Sequence, residues 1–155
     1  MSGSQAACLA PWIWSAMTPR LRSVMLYDVS PKARARIFPE ALRRSSVAGV
    51  AWDDGELAAV SWIEPLFPEA RCGVIHFCFM RPKRAERIAR KFLALVAESR
   101  RFDTLMAFLP ALYRHARAFA KRVGFEELGV FAGACRLAEP ERVAGGALLR
   151  LEFGN

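Results

Sequence analysis

The chain has 155 residues, a length that suits one domain, and its 54% hydrophobic and 25% charged content excludes a disordered polymer. No apolar run approaches the roughly 20 residues that a bilayer span needs, which excludes a transmembrane helix. The net charge of +8 favours anionic partners, nucleic acid or phosphorylated small molecules, and does not choose between them.

Residues 1–21 are expected to form an N-terminal arm with no assigned element, and residues 22–155 a single domain. The opening MSGSQAACLAPWIW carries neither a basic leader nor a continuous apolar block, so a cytoplasmic location is expected. Residues 24–30, VMLYDVS, read as a strand of β-formers ending at Ser30, which caps a helix opened by Pro31. That helix, PKARARIFPEALRRS, is expected to bend or split at Pro39.

Two apolar runs then flank Asp54-Gly55, a hairpin signal because glycine takes the positive φ of a tight turn at little cost. A third run, CGVIHFCFM, follows a loop containing Pro65 and Pro68 and completes an antiparallel meander. Residues 84–101 place Ala85, Ile88, Phe92, Leu95, Val96 and Ser99 at helical spacing. FDTLMAFLP is a strand stopped by Pro110, and ALYRHARAFAKRVGF is a helix closed by Gly124. LGVFAGACRLA and ALLRLEF are two last strands around a loop holding Pro140 and Gly145-Gly146. The order is strand, helix, three strands, helix, strand, helix, two strands, which is an α/β protein with a mixed sheet and helices on its faces.

Cys8, Cys72, Cys78 and Cys135 show no C-x-x-C spacing, and His76 and His115 lie far apart, so no metal site is expected and the thiols are read as reduced. Between Arg81 and Arg101 eight Lys or Arg residues face only Glu86 and Glu98. This is either a solvated helix face or a phosphate-binding one.

Two local patterns sharpen the reading. Arg84-Ala85-Glu86-Arg87-Ile88-Ala89 matches the ends of the pattern Q/R-x-x-G-x-G/A, with Arg87 in place of its middle glycine. In the helix before the next-to-last strand, Ala116, Gly124 and Phe125 match N-x-x-A-x-x-L-Y-x-x-x-G-F, with Tyr113 at the asparagine and Ala120 at the tyrosine. The element order and both patterns resemble the Gcn5-related N-acetyltransferase (GNAT) superfamily over roughly residues 22 to 153. FLPALYRHARAFAKRVGFEELG also looks like divergent GNAT-like proteins of phages and prophages.

The resemblance implies a mostly antiparallel sheet whose fourth and fifth strands are parallel, and an acyl-CoA, such as acetyl-CoA, as co-substrate for transfer to an unidentified amine. It assigns Phe79, Met80, Arg81, Arg84, Ala85, Arg87, Ile88 and Ala89 to the cofactor, with Arg81, Lys83, Arg84 and Arg87 around its adenosine-phosphate end. Such transfer needs a deprotonated amine and a protonated leaving thiolate. His76, on the strand face shared by Val74, Cys78 and Met80, is either a proton relay or a hydrogen-bonded core histidine. Glu64 is either a base acting through water or an exposed strand-end carboxylate. Tyr113 either supplies the acid that Ala120 lacks or packs at a helix start. Cys78, buried beside Phe77 and Phe79, is read as inert.

The other class of function is a GNAT-like fold without catalysis, a binding or phage-assembly module touching nucleic acid through its arginines. No helix-turn-helix, zinc finger or RNA-binding aromatic signature accompanies them. The PWIW segment or the last strand offers apolar surface for a homodimer.

Overall fold

The computed structural model describes residues 1–138 and 140–154. Four helices come first: α1 (Gly3–Cys8), α2 (Ala10–Ala16), α3 (Pro19–Met25) and α4 (Pro31–Arg44). After them come β1 (Val47–Asp53), β2 (Glu56–Phe67), β3 (Cys72–Phe79), α5 (Ala85–Ser99), β4 (Thr104–Pro110), α6 (Arg114–Arg122), β5 (Glu126–Ala138) and β6 (Glu141–Glu152). The strands form one sheet in the order β1-β2-β3-β4-β6-β5, in which β3 and β4 are parallel and every other neighbouring pair is antiparallel. This is the expected mixed α/β architecture, and its parallel pair is the one the sequence placed fourth and fifth.

The sheet divides two cores. On one face Ile13, Met17, Phe38, Leu42, Trp62 and Cys78 pack beneath α2 and α4. On the other, Ile63, Ile75, Leu93, Val96, Leu105 and Leu149 pack beneath α5 and α6. Alternation along β2 and β3 sends neighbouring residues to opposite cores, so Trp62 and Cys78 lie on one side and Ile63 and Ile75 on the other. Among the described residues no helix is long and apolar enough to cross a membrane.

The hairpin between β1 and β2 turns at Asp54 and Gly55, whose φ values of 52° and 77° are those that a tight I′-type turn demands. The expected strand at 24–30 does not form. Thr18 caps α3 by accepting from the Leu21 N–H at 3.2 Å, Pro19 opens it, and helix continues to Met25. The β-formers beyond it make a turn in which Leu26 is buried and Val29 packs on the first core. Arg34 secures this turn by donating from Nε to the carbonyls of Val29 at 3.0 Å and Leu26 at 3.3 Å. Tertiary packing here overrides strand propensity, which measures fit to a half-buried pleated surface more than a backbone preference.

Two further expectations change. Of the bend or split expected at Pro39, the split does not occur, since helix α4 continues through it. The expected loop at Gly145-Gly146 is part of β6, where Gly146 pairs with Phe131; a Cβ on Gly146 would lie 3.0 Å from Cys135 Sγ. Glu139, in the connection from β5 to β6, lies outside the described residues. The first twenty residues, without an assigned element from sequence, are largely helical. Their close seat on α4 depends on Gly3, since a Cβ there would strike the carbonyl oxygens of Leu42, Arg43 and Ser45.

Candidate active site

Strands β3 and β4 pair over three positions only, Cys72 with Thr104, Gly73 with Leu105 and Val74 with Met106. Beyond them β3 remains laddered to β2 as far as Phe79 and β4 to β6 as far as Pro110, so the two strands part between these outer partners. Gly73 permits the tight root of this fork: a Cβ there would lie 2.8 Å from the Phe102 ring and overlap the Ile63 side chain. Inside the fork, Phe119 of α6 meets the rings of Phe79 at 5.2 Å and Phe77 at 6.1 Å, both edge-on. These aromatic contacts anchor α6 over the gap.

The fork opens into a cavity of about 650 Å³. Pro82 and Ala85 at the start of α5, Phe79, Ala107 and Phe119 around the fork, and Glu64 and His76 all line it. Among the described residues its one lining guanidinium besides Arg44 is Arg122, held by Glu86 at 3.4 Å. Arg87, which replaces the motif glycine, is exposed on α5 and is not part of the lining.

Glu64 and His76 come together because antiparallel pairing of β2 and β3 puts His76 opposite Trp62, two residues before Glu64 on the same face. The His76 ring stacks on Trp62 with centroids 4.8 Å apart and planes 11° apart. Its Nε2 lies 3.4 Å from Glu64 Oε1, which also accepts from Trp62 Nε1 at 3.3 Å. Arg44 Nε stands 3.5 Å from the other carboxylate oxygen. About 35% of the His76 side chain is open to the cavity, while protein encloses its remaining sides. Burial pulls its pKa below the ordinary 6.5, against the upward pull of Glu64 and then Asp28. A neutral imidazole beside a carboxylate at neutral pH can take a proton from a bound ammonium.

Tyr113 stands at the start of α6 and lines the same cavity, where its ring meets Tyr27 edge-on at 6.2 Å. Burial raises the pKa of both phenols, so both are protonated donors at neutral pH. Cys78 is 1% exposed and burial pushes its thiol pKa up to about 12, which leaves it without nucleophilic thiolate.

The expected cofactor residues are spread over three settings. Phe79 and Ala85 line the cavity. Ala89 is fully buried under α5 and Ile88 is half-buried beside it. Met80 and Arg81 face a separate groove beside Trp12 and the hairpin tip, and the N–H groups of both donate to the Ala58 carbonyl. Arg81 pairs with Glu56, and Arg84 Nε pairs with Asp53 at 2.9 Å, so hairpin acids hold both guanidiniums. The start of α5 has no side-chain cap and its dipole is positive there, which suits an anionic group, although Ala85 is buried and its N–H already donates to the Pro82 carbonyl.

Sequence reasoning missed Tyr27, Asp28, Arg44 and Trp62. Tyr27 and Asp28 were placed in a strand that does not exist. Trp62 stands two residues before Glu64 on one strand face, and that spacing was a legible signal once Glu64 was singled out.

A strand pair that parts after its third residue pair, with the start of α5 lining the cavity there, marks the fold shared by the acetyltransferase structures that follow. No protein-family model and no curated protein sequence matches the chain. Solved structures do match it. Ribosomal-protein-alanine N-acetyltransferase from Brucella melitensis is 16% identical over 94% of this chain and 95% of its own, with a TM-score of 0.68. A GNAT superfamily phosphinothricin acetyltransferase from Sinorhizobium meliloti, solved with acetyl-CoA, is 16% identical over 96% of this chain and 85% of its own, with a TM-score of 0.68. The microcin C7 self-immunity acetyltransferase, solved with acetyl-CoA and AMP, reaches 0.70 at 12% identity over 94% of this chain and 88% of its own. The chain has the GNAT fold.

Proposed function

We propose that this protein is an N-acyltransferase that moves an acetyl or other acyl group from acyl-CoA to an amine. The observation that carries the reading is the early parting of β3 and β4, which opens one cavity from the start of α5 to the Glu64–His76 pair. Acetyl-CoA would supply a thioester whose acyl carbon is open to attack by a neutral amine. With His76 Nε2, 3.4 Å from Glu64 Oε1, as the nitrogen that carries the hydrogen, Nδ1 is the basic atom that takes the proton of the incoming ammonium. Trp62 fixes the plane of that ring. Tyr113, held protonated by burial, donates to the leaving thiolate in place of the missing tyrosine at Ala120. The uncapped start of α5 and the exposed Arg87 receive the phosphates. Arg81 and Arg84, paired with Glu56 and Asp53, brace the loop that presents those amides.

Thiol release from acetyl-CoA in the presence of amines tests this reading. The wild type should release thiol only when amine is present, and His76→Ala should lower kcat by about 10²–10⁴-fold with a smaller effect on acetyl-CoA affinity. A second reading, a binding module without catalysis, draws on the engagement of Arg84 by Asp53 and on Ala120. It predicts no amine-dependent release by the wild type.

A further inference from the structure

Trp62 reaches both members of the Glu64–His76 pair. It stands directly opposite His76 across the β2–β3 ladder, where cross-strand side chains meet, and the two rings stack 4.8 Å apart. From the same ring, Nε1 donates to Glu64 Oε1 at 3.3 Å, two residues further along one strand face. Trp62 is itself 1% exposed and meets Phe38 of α4 edge-on at 6.0 Å, so a packed core aims its donor.

The Glu64 carboxylate is thereby engaged at both oxygens. Oε1 faces Trp62 Nε1 at 3.3 Å and His76 Nε2 at 3.4 Å, and Oε2 faces Arg44 Nε at 3.5 Å. A carboxylate whose charge is spread over such donors is a weak base and a firmly placed acceptor. It suits the task of keeping the hydrogen on His76 Nε2, which leaves Nδ1 to exchange protons.

Resting on the transferase reading, we propose that Trp62 is a positioning residue that acts through both partners: its ring face fixes the plane of His76, and its indole N–H fixes Glu64 as an acceptor that orients the imidazole without exchanging a proton with substrate. Amine-dependent thiol release by Glu64→Gln and Glu64→Ala tests the part given to the carboxylate. The amide oxygen of Gln still accepts from Trp62 and His76, so Glu64→Gln should keep kcat within about tenfold of the wild type and Glu64→Ala should fall further. Equal losses in the two variants would overturn the proposal: at about 10²–10⁴-fold they would make Glu64 the proton carrier, and at a few-fold they would mean that it orients nothing.

The part given to Trp62 is read without turnover, by NMR titration of His76, told apart from the exposed His115 with His115→Gln. Glu64 of β2 and Asp28 of the turn before α4 act on His76 by charge, and Arg44 of α4 bears on Glu64; all remain in Trp62→Phe. Phe keeps a ring against His76 but has no N–H, so Glu64 should stabilise the imidazolium more and His76 should titrate at higher pH than in the wild type. In the Glu64→Gln background the same substitution should produce a smaller rise. No rise, or an equal rise in both backgrounds, which looser packing alone would give, would contradict the proposal. In the unsubstituted protein the Trp62 indole N–H signal should shift as His76 titrates, and an unmoved signal would sink it too. If the wild type releases no thiol with any amine the transferase reading falls, while the titrations still decide whether Trp62 holds the pair.

Discussion

His76 is held between opposing influences, burial that disfavours its charged form and two carboxylates that favour it, and burial prevails. Its folded pKa therefore lies below that of the unfolded chain, which takes up its proton near pH 6.5. As pH falls through 6.5 toward the folded value, the unfolded state gains protons first, so stability drops over that window; above it the contribution is constant. Urea titrations at pH 7.5 and 5.5 should show a loss in the wild type that is smaller in His76→Gln. An equal loss in both would mean that the imidazole is not held neutral. Cys78 gives a second check at this scale: with its thiol pKa pushed up to about 12, iodoacetamide should label Cys8, the exposed cysteine, and spare Cys78 in the folded protein. His76 and Glu64 could be singled out from sequence because an imidazole and a carboxylate near strand centres and ends are chemically conspicuous. Their contact could not, because the register that puts His76 opposite Trp62 depends on the irregular pairing between Pro65 and Phe67.

At the scale of elements, the fork and the docked arm each rest on a glycine. Gly73→Ala should cost about 1–3 kcal/mol, because the new methyl meets Ile63 and Phe102 in a packed core at the root of the fork. Gly3→Ala should have a comparable cost, because the obstruction is backbone carbonyl rather than a flexible side chain. Urea denaturation measures both, and an unchanged midpoint in the second would mean that α1 is not seated on α4. The meander, both long helices and the closing hairpin were legible because period and turn chemistry agreed with the final packing, as at Asp54-Gly55. The segment 24–30 was not, because α3 takes up Val24 and Met25 and the residues after them form a turn that Arg34 holds from outside the segment. Nor was the linking of Arg81 and Arg84 to the hairpin, since charge counting along one helix says nothing of acids that another element brings to it.

Over the whole molecule, the net charge of +8 and the start of α5, which has no side-chain cap, favour an anionic ligand. Affinity for acetyl-CoA should fall as salt is raised, because exposed cations contribute through a screened field. The most direct measurement is calorimetric titration of acetyl-CoA into the wild type and into Ala107→Phe, which places a ring where the strands part. The account predicts saturable one-to-one binding to the wild type and at least about tenfold weaker binding to the folded variant. No binding to the wild type at millimolar ligand, or equal binding to both, would contradict it.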